Sequence, residues 1–331
     1  MLWFFGMRPL FLRSSLSRQI LLQIRAHLHR PLLRVDMELI QPRANVLIVL
    51  GGCMWGVYWL PLRHLEGMGF TGASAGIALY TGCLLLLLPF TLGFGAVIRT
   101  QWRVLLFSSL LTGAAFSLFT TALALTDVIR AILLFYLTPA WGTILGLVFL
   151  GERLDRARIL AVLFAFVGLA VILGGNEGIP IPRTTGDIFA LLSGIFWAVG
   201  SMGLLKAPDI PARVQVFGFF LGALVLSLIT LGVVQGQGGV PISVSWDPTV
   251  MGYVLIYTLY MIPMVFLTIL PATVLPPARI GVLLMSEVVV GAISAALLSG
   301  EAFGAREALG TLLIIAAALF EVLGKRDIRS A

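Results

Sequence analysis

Residues 137–154 read LTPAWGTILGLVFLGERL, an apolar run with a proline near its start and Gly-Glu-Arg at its end. Residues 285–303, MSEVVVGAISAALLSGEAF, close on a second Gly-Glu. Glu301 lies 149 positions after Glu152, and Gly300 after Gly151, Arg279 after Arg130, Gly291 after Gly142 and Ile293 after Ile144 keep that offset. Upstream, CMWGVYWLPLRHL (53–65) aligns with IFWAVGSMGLLKA (195–207) and pairs Trp55 with Trp197 at an offset of 142. Seven residues of loop reconcile the two offsets. The chain therefore reads as one unit written twice.

Composition decides the solvent of that unit. The chain is 59% hydrophobic and 11% charged, with a mean hydropathy of +1.04. Soluble domains carry about 25% charged residues, so this chain does not build a water-facing surface. Its net charge of +7 reads as basic cytoplasmic loops and not as a nucleic-acid face. A helix crosses a bilayer with about 20 mostly apolar residues. Charge-free runs occupy 44–62, 67–98, 104–126, 131–151, 159–176, 188–205, 214–246 and 248–278; 280–300 and 308–324 each carry one acid, Glu287 and Glu321. The Gly- and Pro-rich stretch 235–248 reads as loop. A β-barrel needs short alternating segments, and the runs do not alternate.

The expected fold is therefore all-α integral membrane, with ten transmembrane helices. Five per unit is odd, so the second unit enters from the opposite face, giving two inverted five-helix repeats. Such repeats are a transporter signature, with the substrate site near the midplane where they meet. With the N-terminus inside, 18 Lys and Arg fall on the cytoplasmic side and 4, Arg63, Arg130, Arg183 and Arg306, outside. Both termini are thus expected to be cytoplasmic. The divisions are a basic extension (1–43), the repeats (44–176 and 185–324) and a cytoplasmic tail (325–331). In the extension Leu16, Ile20, Ile24 and Leu28 share one helical side with Arg18, Arg25 and His29 opposite, as in an interfacial helix. The segment also has transit-peptide composition, and Met37 is an alternative start.

On these residues the chain resembles the EamA family of the drug/metabolite transporter superfamily. Each unit opens on a Trp-Gly-like motif, Trp55-Gly56 and Trp197-Ala198, and closes on a helix followed by Gly-Glu. The resemblance covers about residues 45–324. Three positions depart from it: Val288 replaces a second proline, Ala302 an arginine, and Tyr80 an arginine common in the second helix. Pro139, Gly151, Glu152, Gly300 and Glu301 read as structural. A glycine accepts the left-handed cap of a helix, and an acid suits the next helix start.

Glu287 is the candidate for chemistry. An acid at depth costs several kcal/mol and faces a cavity or a partner. It reads as a proton-coupling group or a cation-recognising one, or else as a buried Glu hydrogen-bonded between helices. Trp55, Tyr58, Trp59, Tyr80, Trp141, Trp197, Tyr257 and Tyr260 are cavity candidates, since aromatics with a polar tip stack on solutes; packing and interfacial belts are the competing reading. Ser201, Gln215 and Ser286 offer hydrogen bonds to a cargo or to neighbouring helices. Pro263 and Pro271 fall in the eighth span.

The function expected is a secondary carrier of small organic metabolites, amino acids or related compounds, exporting by alternating access. It would be a multi-pass protein of the cell (inner or plasma) membrane. Its partners would be the bilayer and a small-molecule substrate, with no nucleic acid, metal or cofactor. The rival classes are a membrane-embedded enzyme and a non-transporting receptor or scaffold on the same fold. The sequence lacks HExxH and P-loop patterns, and His27, His29 and His64 lie outside the spans. Cys53 and Cys83 sit in apolar runs without metal-ligand spacing.

Overall fold

The computed structural model describes residues 43–70, 73–126, 128–151, 156–172, 182–236, 247–298 and 304–323. The basic extension up to Pro42, Glu152, Arg153, Gly300, Glu301, the middle of the 235–248 loop and the tail lie outside these.

Among the described residues all regular structure is helical. The helices are α1 (Ala44–Val57), α2 (Trp59–Gly67), α3 (Ala73–Thr91), α4 (Gly95–Leu105), α5 (Leu111–Leu125), α6 (Val128–Phe135), α7 (Thr138–Phe149), α8 (Arg156–Ile172), α9 (Thr185–Leu205), α10 (Ala212–Gly236), α11 (Pro248–Ala272), α12 (Pro277–Leu284), α13 (Ser286–Leu298) and α14 (Ala305–Leu323). Six helical stretches are long and apolar enough to cross a membrane: Ala44–Gly67, Ser74–Ala122, Thr185–Leu205, Ala212–Gly232, Pro248–Ala272 and Pro277–Leu298.

The outer faces carry large apolar side chains, with Leu85 65%, Phe107 62%, Val148 67% and Leu297 77% exposed. Lipid is the solvent that tolerates such a surface, because helices satisfy their backbone internally. With lipid outside, helices gain little from burying leucine against each other, so small and polar residues hold them. Ser117 and Ser227 join α5 to α10 at 2.8 Å. Trp59 Nε1 donates to Ser294 Oγ at 3.0 Å between α2 and α13. The buried carboxylate of Asp187, at the start of α9, accepts from Thr126 Oγ1 at 2.6 Å while closing a capping box with Thr184. At the α5–α10 crossing a Cβ on Gly113 would lie 1.8 Å from the Phe219 carbonyl oxygen, so only glycine fits.

α1 packs on α11, α12 and α13; α9 packs on α5, α6 and α7; α10 packs on α3 and α5; α8 packs on α14; and α7 packs on α12. At the α7–α12 crossing a Cβ on Gly142 would sit 2.6 Å from Ala278 N, the close packing that the Gly142–Gly146 spacing implies.

The structure corrects the reading of charged residues as loop. Helix α2 runs on through Arg63, His64 and Glu66, and α4 holds Arg99 and Arg103. The physical reason is amphipathicity. Phe94, Val97 and Ile98 pack against Leu105, Ala207, Ile210 and Val214, while Arg99 and Arg103 are exposed. Helix α11 continues through Pro263. Two apolar stretches that are repeat mates are interrupted midway, α6/α7 at Tyr136-Leu137 and α12/α13 at Met285, and the 44–67 stretch turns at Tyr58. Pro139, which lacks an amide hydrogen, helps restart the first. The second restarts on Ser286 with Val288 in the matching place, so the interruption does not need a proline.

Candidate functional site

Eight helices converge on one cavity of about 50 Å³. Its walls are aromatic: Trp55 from α1, Phe116 and Phe119 from α5, Phe135 from α6, Trp197 from α9 and Phe219 from α10. Thr268 of α11, Leu284 of α12 and Glu287 of α13 add to the lining, and among the described residues Glu287 is its one charged residue.

The rings hold each other at aromatic contact distances. Trp55 meets Phe116 edge-on at 4.7 Å, Phe116 stacks on Phe219 at 6.0 Å, and Phe119 lies 4.5 Å from Phe135. Trp55 Nε1 donates to Thr268 Oγ1 at 2.9 Å, and that hydroxyl donates to the Met264 carbonyl at 2.9 Å. Tyr136, at the α6/α7 interruption, donates its hydroxyl to Glu287 Oε2 at 2.7 Å. Trp197 is 6% exposed, and its buried Nε1–H has no hydrogen-bond partner among the described residues. Glu287 sits just after the α12/α13 interruption, so the two interruptions meet through this hydrogen bond.

Of the candidates read from sequence, Trp55, Trp197 and Glu287 line the cavity together. The others lie around it or away from it. Tyr58 stands behind Trp55 at 5.6 Å with its hydroxyl on Met261 Sδ. Tyr80 is buried against Phe116 and Phe220. Trp59 is held by Ser294 with Arg63 over its ring. Tyr260 donates to the Met54 carbonyl. Ser286 donates to the Val49 carbonyl, and Ser201 to Ala198 of its own helix. Gln215 donates to the carbonyls of Ala207 and Ile210, closing the turn before α10. Tyr257 bonds His64 Nδ1 at 2.7 Å beside Tyr253, at the end of α2. Trp141 is on α7, with its buried Nε1 unpartnered among the described residues. Pro139 opens α7, and Gly151 follows it with φ +64°, the left-handed cap expected there.

The sequence reading missed Phe116, Phe119, Phe135, Phe219, Thr268 and Leu284, and it missed Tyr136 as the partner of Glu287. Phenylalanine carries no signal that separates a cavity wall from a lipid-facing position. Tyr136 carried one: at the offset of 149 it is the mate of Met285, two residues before Glu287.

The sequence profile of the EamA-like transporter family matches residues 42–174. The resemblance read from the motifs holds over that stretch. Among 28 matching chains of solved structures, one described as the crystal structure of a protein superposes with a TM-score of 0.67 at 20% identity. The match covers 86% of this chain and 97% of that one, so the shared fold extends well past residue 174. No curated protein matches the chain.

Proposed function

We infer that this chain, with an EamA-like transporter unit in its first half, is a secondary carrier of small organic metabolites, amino acids or related compounds, working by alternating access and directed to efflux. Ten spans are proposed, as two inverted repeats over residues 44–176 and 185–324, with both termini cytoplasmic.

Several observations support ten spans over the six long stretches. Ser74–Ala122 is 49 residues long, or roughly 74 Å of helix at 1.5 Å per residue, more than twice a hydrocarbon core of about 30 Å. It divides at the tight turn Leu92–Phe94. Helices α6 and α7 together make one interrupted span, α8 is 17 residues long, and α14 is 19. The helix contacts also pair off when each element is exchanged for its repeat mate. The α9–α5 contact maps onto α1–α11, α10–α5 onto α3–α11, and α9 with α6 and α7 onto α1 with α12 and α13. The contacts α8–α14 and α10–α3 map onto themselves.

The observation that carries the carrier reading is the meeting of repeat mates at one cavity. Trp55 and Trp197 are mates, and both line it. A site on a pseudo-twofold axis is equally reachable from both faces when the repeats rock against each other. The two interrupted spans cross there, and each supplies one end of the Tyr136–Glu287 bond.

The test is counterflow in proteoliposomes over a panel of labelled amino acids and amines, with and without a proton gradient. Exchange of one solute class above protein-free vesicles is expected. A correctly folded, oriented protein that exchanges none of them would leave the receptor or scaffold reading instead.

A further inference from the structure

We propose that the cavity selects a compact organic cation, an ammonium head bearing a hydrogen-bond acceptor, over zwitterionic amino acids. The proposal rests on the carrier reading and, within small organic metabolites, sets a cationic cargo in place of amino acids.

The charge balance of the walls decides the sign. Among the described residues Glu287 is the one charged residue of the lining, which includes no Lys, Arg or His. Arg279, about two turns earlier in the chain, directs its Nε to Asn45 Oδ1 at 2.9 Å. An amino acid would bring its own carboxylate into a site that already holds one, and its single ammonium can balance only one of the two. A desolvated carboxylate needs a cation or several donors. The cavity offers one open donor, Trp197 Nε1, because Trp55 Nε1 is engaged by Thr268.

The walls favour a cation independently. Six aromatic rings surround the space, and ring faces attract ammonium groups most strongly where water is excluded. Tyr136 occupies one oxygen of Glu287. The other carries no hydrogen bond among the described residues and is left to the cargo. The volume of about 50 Å³ admits a head group; a longer body requires the rings to move apart, as they must in any carrier cycle. The open Trp197 N–H then meets an oxygen on that body.

Four probes on one tetrahedral head separate these elements: tetramethylammonium (cation), choline (cation with a hydroxyl), glycine betaine (zwitterion) and pivalate (anion). Binding is measured by calorimetry on the full chain in detergent. Tetramethylammonium and choline should bind, with choline tighter. Betaine should bind at least about tenfold more weakly, about 1.4 kcal/mol, and pivalate not at all. Glu287→Gln should weaken tetramethylammonium about tenfold or more, and Trp197→Phe should remove the advantage of choline. If Glu287→Gln does not fold, the four probes on the unaltered chain decide. Betaine or pivalate binding as tightly as tetramethylammonium, an unchanged Glu287→Gln affinity, or no binding of any probe to a monodisperse chain would overturn the proposal. Counterflow separates it from the carrier reading. Cations that bind without exchanging sink the carrier and keep the cation site; amino acids that exchange through a chain blind to tetramethylammonium do the reverse.

Discussion

Tyr136 and Glu287 tie the two interrupted spans together, and removing one oxygen tests how. Tyr136 is 3% exposed and donates to Glu287 Oε2 at 2.7 Å. That length lies at the edge of the range for O–H···O⁻ bonds. Tyr136→Phe deletes the hydroxyl and keeps the ring. A hydrogen bond to a charged group contributes about 1.5–3 kcal/mol, whereas neutral interhelical bonds in membranes average about 0.6 kcal/mol. Glu287→Gln keeps an acceptor oxygen but makes the bond neutral. In a double-mutant cycle the difference remains as an interaction energy of about 1–2 kcal/mol. The assay is unfolding of the four proteins in mixed micelles with increasing SDS, followed by tryptophan fluorescence. The extra stability belongs to the ionised carboxylate, so the interaction energy should shrink as pH falls and the carboxylate is protonated. An interaction energy near zero at alkaline pH would refute the charge-assisted bond and leave Glu287 a neutral packing residue.

Helix contacts give a second test: a Cβ on Gly56 would lie 2.6 Å from the Glu287 carbonyl oxygen, so Gly56→Ala should cost about 1–3 kcal/mol in the same assay. Gly67 has nothing within 4 Å of that position, and Gly67→Ala should stay within about 0.5 kcal/mol. Gly151 has φ +64°, so Gly151→Ala should lose about 1 kcal/mol with no change in cavity ligands; equal stability would remove the capping role. A cysteine at Gln237 in a cysteine-free background should label from outside the cell, and labelling only from the cytoplasm would invert the topology. Deletion of residues 1–36 should leave insertion and counterflow intact; a truncated chain that inserts but no longer exchanges would give the basic segment a function.

The membrane helices were legible because the bilayer imposes a length on apolar runs. Their ends were less so. A charged residue ends an apolar run but not a helix: α2 stays helical through Arg63, and α4 through Arg99 with a kink only at Gln101. The interruption after Phe135 was marked by Pro139. Its mate at Met285 had no such mark, since Val288 stands in the proline's place. Packing against α1 and α7 accompanies that break, and packing is invisible in a single sequence.

The site divides in the same way. Trp55 and Trp197 could be found because their repeat relation makes them special among aromatics, and Glu287 because charge is costly at depth. The phenylalanines could not: Phe107 faces outward at 62% exposure while Phe116, nine residues on, lines the cavity. Polarity alone misled for a physical reason. In a bundle surrounded by lipid the nearest acceptors are backbone carbonyls, so a lone hydroxyl or amide tends to be consumed by its own or the neighbouring helix. Ser201, Ser286, Tyr260 and Gln215 all donate to carbonyls. Trp197 differs from these four in keeping its buried N–H unpaired at the cavity wall. An unspent donor on a residue that shares its cavity with a half-spent carboxylate is a stronger mark of a binding site than any count of polar residues along the helices.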